Sequence, residues 1–385
     1  MTGLELSRAF YEEYGKPMLE AQFPEVLPYL AIGSVGSGSE HYGYDDEVSR
    51  DHDFEPGFCI FLPGEEVVDR RQAFLLERAY TKLPKEFRGF VRSGITPVGG
   101  ARCGVIRTAD FYQRAVGSPD GELTVGEWLQ LPDYALAEAV NGEVFDDFYG
   151  EFSAIREKLQ FMPEDVKLKR LAGQLLLMAQ AGQYNYRRCL QHGEPEAAQL
   201  ACVEFVQAAM KAYFLLNDRY MPYYKWSFRA LREIYGGEEL AGKLSKLLLG
   251  PHTENYSEND TNRQTKSPTE NDTDKQTKSP TENDTDRQTK SPTENDTKKH
   301  TEGYSENDTN KQTKNYTENR SEIYTNSCAE ARYLLIESIA SDFITLLQEQ
   351  NLTDAVCGDL EKHAYSVNDR IGDPEIRNLH ILAAV

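Results

Sequence analysis

From Ser257 the chain repeats with a period of twelve: SENDTNRQTKSP, TENDTDKQTKSP, TENDTDRQTKSP, TENDTKKHTEGY, SENDTNKQTKNY, TENRSEIYTNSC. These copies contain almost nothing apolar. A unit this polar cannot bury a face against its neighbours, so it does not fit a solenoid. Without burial nothing offsets the entropy of ordering the chain, and the tract is expected to be disordered. It falls between segments of helical pattern and so reads as an insertion. Lengthening a loop adds little closure entropy, which suits a tolerated surface insertion. The other reading is a tether or an arm for a partner. Asn-Asp-Thr recurs in it and matches the N-glycosylation pattern. The N-terminal MTGLELSRAFYEEYGKPMLE carries acids and lacks the apolar stretch of a signal peptide.

The rest must build the core. The chain has 385 residues, 39% of them hydrophobic and 11% aromatic, enough for two domains. Up to about residue 145, short apolar runs alternate with Gly and Pro. LPYLAIGSVG (27–36) reads as a helix end, a strand and a turn. HDFEPGFCIFLP (52–63) and ARCGVIRT (101–108) read as further strands. The N-terminal twenty residues suggest a helix with Leu4, Phe10, Tyr14 and Met18 inward. EEVVDRRQAFLLERAYTKLP (65–84) suggests another with Val68, Phe74, Leu75 and Ala79 inward. TVGEWLQLPDYALAEAVNG (124–142) gives one or two helices. After Phe145 the pattern is nearly all helical, with Leu168, Leu171, Leu175 and Met178 as one apolar stripe. The expectation is an α+β fold: a small mixed sheet with helices over 1–145, then a helical domain over 146–250 and 326–385. The repeat insertion spans 251–325.

The formal net charge is -21, which disfavours an extended nucleic-acid face but leaves room for a local phosphate pocket. No stretch reaches the roughly 18 apolar residues of a membrane span. The six cysteines are scattered without Cys-x-x-Cys pairs, which suits free thiols in a reducing cytoplasm.

The chemistry is expected in GSEHYGYDDEVSRDHDF (38–54). Gly38 and Ser39 follow an apolar strand, and eleven residues separate Ser39 from Asp51. On a strand Asp51 and Asp53 would project together. Two close carboxylates repel unless a cation sits between them, and a hard ion such as Mg²⁺ meets that need. Gly38 lets backbone N–H groups approach a phosphate, Ser39 adds a hydroxyl, and Gly43 frees the turn beyond.

This spacing resembles the nucleotidyltransferase superfamily. The resemblance implies a triphosphate held at Gly38 and Ser39, with up to two Mg²⁺ ions at Asp51 and Asp53. Together with GEVFDD (142–147) and NDRYMPYYKW (217–226), the stretch also resembles the bacterial family called domain of unknown function 4037. That family is regarded as nucleotidyltransferase-like. The implied function is transfer of an NMP from an NTP to a hydroxyl of an unidentified small molecule or protein, with a catalytically degenerate nucleotide-binding or protein-interaction module on the same fold as the alternative. Active members of the superfamily usually carry a third carboxylate on a later strand. ARCGVIRT has no acid, leaving Asp110, Asp146 and Asp147 as candidates.

Tyr224 and Lys225, within YMPYYKWSF, suit base stacking and phosphate binding, with an interhelical corner as the plain alternative. Arg219 belongs to the same segment. Asp45, Asp46 and Glu47 read as a solvated acidic loop, with added metal ligands as the other reading; Arg50 and His52 read as structural residues, with a phosphate contact by Arg50 and a functional role for His52 as the alternatives. Arg187 and His192 resemble the Arg-His pair of helical ribonucleases, but also a helix end where cations meet the dipole. No Walker phosphate loop, nucleophile elbow or His-Glu-x-x-His is present.

Overall fold

A computed structural model describes residues 1–48, 54–92, 103–250 and 307–385, with side chains described from Cys328 onward in the last stretch. Residues 1–248 with 332–385 form one compact unit, and 249–331 a second.

In the first unit a four-stranded sheet has the order β5-β2-β1-β6. The strands are β1 (Ala31–Ser34), β2 (Cys59–Leu62), β5 (Gly104–Arg107) and β6 (Glu143–Asp147). A small hairpin pairs β3 (Glu86–Phe87) with β4 (Phe90–Val91). The central β1 is antiparallel to β2 and to β6, and β2 is parallel to β5. Successive strand residues alternate faces. Ile32, Ile60 and Leu62 therefore meet Leu6, Phe10, Phe58 and Leu76 on one side. Ala31, Cys59 and Phe61 meet Tyr112 and Phe152 on the other. That second core runs on without interruption into the helical bundle. The expected division at 145/146 falls inside β6, so the last sheet strand extends to Asp147.

Helix α1 (Gly3–Phe10) starts at a capping box in which Thr2 and Glu5 satisfy each other's backbone N–H groups. A π segment at Tyr11–Gly15 joins it to α2 (Lys16–Gln22). The buried residues are Leu6, Phe10, Tyr11, Met18 and Leu19. Leu4 and Tyr14, expected inward, are only half-buried. Phe10 and Met18 are buried as expected, while Tyr14 lies inside the π segment, where the turn is wider than the constant period assumes.

Helix α3 (Arg70–Thr81) begins at an Asp69–Gln72 capping box. Val68 is buried but precedes the helix and does not set its phase. Leu76, Ala79 and Tyr80 face inward, while Phe74 and Leu75, expected in the core, are exposed. Helices α4 (Thr108–Val116), α5 (Val125–Gln130), α6 (Asp133–Val140) and α7 (Glu151–Gln160) complete the sheet layer. The bundle comprises α8 (Glu164–Met178), α9 (Arg187–Gln191), α10 (Pro195–Leu216), α11 (Tyr224–Arg232), α12 (Gly237–Leu249), α13 (Asn307–Glu349), α14 (Leu360–Asp369) and α15 (Pro374–Arg377). Helix α13 begins inside the last repeat copies, because extending a helix formed by the apolar 328–350 segment costs less than nucleating a new one.

Leu168, Leu171, Leu175 and Met178 are all buried in α8, as their spacing predicts. Lys169 of the same helix is buried too. Its ammonium donates to Asn368 Oδ1 at 2.8 Å and to the carbonyls of Arg377 at 3.1 Å and Leu379 at 2.6 Å. The contacts at Arg377 and Leu379 staple the C-terminal segment to α8 at the end of α15, where a cation is favoured. No described helix is long and apolar enough to cross a membrane.

Candidate functional site

The sheet register gathers several segments at one end. There β1 ends at Ser34 and β2, β5 and β6 begin, at Cys59, Gly104 and Glu143. The glycine-rich loop leaves β1 here, and residues 54–58 enter β2 here. Gly36, Gly38 and Gly43 take positive φ of 111°, 135° and 69°, conformations that side-chain-bearing residues rarely adopt.

The loop is tied down from beneath. Asn141 grips Gly36 with its amide: Gly36 N–H donates to Oδ1 at 2.9 Å, and Nδ2 donates to the Gly36 carbonyl at 2.8 Å. Buried His41 holds its inner side. Its Nδ1 lies 3.1 Å from the carbonyls of Gly36 and Ser37 and so donates, leaving Nε2 to accept from Ser34 Oγ at 3.1 Å. Arg156 donates to the carbonyls of Asn141 at 2.7 Å and Gly142 at 3.3 Å. Gly142 N–H donates to His41 O at 3.0 Å.

Ser39 is the N-cap of the short helical turn Glu40–Tyr42, but its hydroxyl makes no capping bond. It is half-buried, and Ser37 beside it is exposed. Gly38, Ser39 and Gly43 lie in one loop after β1. Asp51 and Asp53, the expected Mg²⁺ ligands, lie outside the described residues, as do Arg50 and His52. Paired carboxylates at 51 and 53 are the oxygen donors a hard cation takes. Among the described residues, no group of three or more His, Cys, Asp or Glu is arranged to hold a metal.

The three acids considered as a third carboxylate all lie elsewhere. Asp146 and Asp147 pair with Ile32 and Ala31, toward the other end of the sheet. Asp146 accepts from Tyr11 Oη at 2.6 Å, and burial together with this carboxylate pushes the Tyr11 phenol up. Asp147 caps α7, accepting from Gly150 N and Ser153 N at 2.8 Å each. Asp110 stands in the first turn of α4, beyond the C-terminal end of β5. Glu143 is the acid of β6 at the loop end, and it is ion-paired with Arg8. Replacing Asp147 with Ala is expected to cost about 1–2 kcal/mol in urea unfolding, as loss of a helix cap does, with no change in nucleotide affinity.

Asp45, expected in a solvated loop, instead accepts from Gly3 N–H at 3.0 Å through Oδ2, while its Oδ1 is buried without a hydrogen-bond partner. The half-buried Cys103 thiol is hydrogen-bonded with Cys59, and this bond together with desolvation pushes it well above its ordinary range. It is therefore not a thiolate at neutral pH.

Just beyond Gly43 the loop meets α11. Tyr44 packs 5.7 Å from the Trp226 ring and donates to Glu233 at 2.6 Å. Arg229 donates to Tyr44 O at 3.0 Å and lies over its ring at 4.8 Å. Burial, then the Glu233 hydrogen bond, pushes the Tyr44 phenol up. The two sequence segments thus meet through Tyr44, Trp226 and Arg229. Trp226 belongs to the aromatic group the sequence singles out, whereas Tyr44 and Arg229 were missed; Tyr44 directly follows Gly43, which was the available signal. Tyr224 and Lys225 are exposed in the first turn of α11. Tyr224 lies 4.4 Å from the Tyr223 ring, which meets Tyr134 at 5.9 Å, forming an accessible aromatic face. Lys225 Nζ lies over Trp226 at 4.8 Å. Far along the chain, Arg187 lies over the Tyr333 ring at 4.8 Å and His192 ends α9.

The family model named Domain of unknown function (DUF4037) matches residues 128–227, about a quarter of the chain. The matched stretch holds α6, β6, the Asn141–Gly142 clamp and the Tyr223–Trp226 segment. No curated protein and no solved structure matches. Over residues 128–227 the chain therefore resembles the DUF4037 family, as its own residues suggest.

Proposed function

We propose that this chain is a Mg²⁺-dependent nucleotidyltransferase moving a nucleoside monophosphate from a nucleoside triphosphate to a hydroxyl of a small molecule or protein. The observation that carries the reading is the clamped loop, with Gly38 at φ 135° and the Ser39 hydroxyl not spent on its own cap, at the sheet end where residues 54–58 enter β2. Asp51 and Asp53 would hold Mg²⁺, which when bound neutralises phosphate charge. The Gly38 backbone and Ser39 hydroxyl would hold phosphate oxygens. Tyr224 offers a stacking face, and Lys225 a compensating charge. An acceptor oxygen attacks the α-phosphorus, the α–β anhydride bond breaks, and pyrophosphate leaves. The hydroxyl proton passes to a general base.

The alternative is a nucleotide-binding module that does not transfer. Its support is that Asp110, Asp146 and Asp147 lie away from the loop, while Glu143 is held by Arg8.

The test uses purified protein, each of the four labelled NTPs, Mg²⁺ and a cell extract. Pyrophosphate release with label transfer is expected, falling at least about a hundredfold in Asp51→Asn/Asp53→Asn. Binding without release would favour the second reading. Neither would refute both.

A further inference from the structure

The loop proposed to hold phosphate is covered by a carboxylate. Glu40, two residues after Gly38, folds back so that a Cβ added at Gly38 would overlap its carboxylate. Its stem is held from the other side by α1, where a Cβ added at Gly3 would lie 2.5 Å from Glu40 Cβ. Two glycines, far apart in sequence, thus bracket one acidic side chain that is only 19% exposed. Its carboxylate also stands 4.0 Å from His41 Nε2, the ring that holds the loop's inner side. Resting on the nucleotidyltransferase reading, we propose that Glu40 is an internal competitor for the phosphate seat at Gly38, which a triphosphate must displace.

The physical reason is mutual exclusion of like charges. A phosphate oxygen against the Gly38 backbone would stand where the Glu40 carboxylate now lies, and two anions do not share that space. Glu40 therefore swings out before nucleotide enters. The free protein is divided between a covered and an open loop, and the measured affinity is reduced by the open fraction. If the covered form exceeds the open one by about tenfold, removing the side chain strengthens binding by about tenfold. Displacing Glu40 also brings a carboxylate to the rim of the bound phosphates. The same residue would then speed product departure by returning to its seat.

The test is equilibrium binding of ATP with Mg²⁺ to the full chain, for wild type, Glu40→Gln and Glu40→Ala, with a thermal melt of each as the folding control. Glu40→Ala is expected to bind about tenfold more tightly than wild type, and Glu40→Gln, which removes the repulsion but keeps the volume, to gain less. Measurable wild-type binding left unchanged by both substitutions would overturn the competitor role alone. Weaker binding in both folded variants would also overturn it, placing Glu40 on the ligand's side. Binding by none of the three, repeated with GTP, CTP and UTP, would remove the nucleotide site together with this role.

Discussion

Arg170→Met is expected to cost about 3–5 kcal/mol of folding stability in urea unfolding, because it leaves a buried carboxylate without its partner. Arg170 Nη2 stands 2.9 Å from Asp133 Oδ1, and the two side chains are 8% and 9% exposed. The guanidinium also reaches the Trp128 carbonyl at 3.5 Å, linking α8 to the end of α5. Burial pushes the Asp133 carboxyl up, opposed by Arg170 and then Lys211. Deleting Arg170 pushes it further. A carboxyl whose folded pKa exceeds its unfolded value binds more protons folded than unfolded, so its contribution to stability falls as pH rises between the two values. The deficit of Arg170→Met relative to wild type is therefore expected to shrink at pH 4 compared with pH 7. The double variant Arg170→Met/Asp133→Leu should recover most of the loss, since an apolar pair of similar volume often replaces a buried ion pair at little cost. A double variant no more stable than the single one would show that the cost lies in packing.

What could be read from the sequence was local. Gly36, Gly38 and Gly43 mark a loop of unusual backbone because only glycine takes those φ values freely, and the apolar run before them marks the strand. The α8 stripe was legible because that helix keeps one period from Leu168 to Met178. Of the N-terminal stripe, Phe10 and Met18 were legible, whereas Tyr14 falls inside the π turn at Tyr11–Gly15, which no composition announces. In α3, counting Val68 with the helix placed Phe74 and Leu75 inward, whereas Val68 belongs to the approach and not to the helix.

The site was legible only as far as its own chain segment. Asp146 and Asp147 looked like candidate acids because they follow, further along the chain, the acid-free strand ARCGVIRT. Which end of the sheet they occupy depends on the antiparallel register of β6 against β1, bulge included, and that is a long-range fact. Nothing in the sequence around Glu40 singles it out. Its position over Gly38 depends on a glycine in α1, 37 residues earlier. Asp133 and Arg170 are likewise 37 residues apart, and neither predicts burial alone.

Gly142→Ala should be the most damaging single methyl group near the site, costing about 3 kcal/mol, the sum of left-handed backbone strain and overlap in a packed region. Gly142 has φ 66°, and an added Cβ would overlap the Ser34 carbonyl and lie 2.9 Å from Val35 Cα. Both obstacles are backbone, at the point where β1 gives way to the glycine loop, so no side chain can rotate aside. Relief must come from moving the loop or the start of β6, which breaks the Gly142 N–H to His41 O bond and loosens the grip of Asn141 on Gly36. Gly117→Ala separates the two causes. Gly117 has a similar φ of 78° at the end of α4, but nothing lies within 4 Å of its added Cβ. It should therefore carry the strain alone, about 1 kcal/mol. Urea unfolding of both variants, with ATP binding measured alongside, reads the difference. Gly142→Ala should lose nucleotide affinity as well as stability, and Gly117→Ala should keep its affinity. Equal costs for the two would mean that the loop yields to the methyl group, and that the clamp from Asn141 and Arg156 does not hold it rigid.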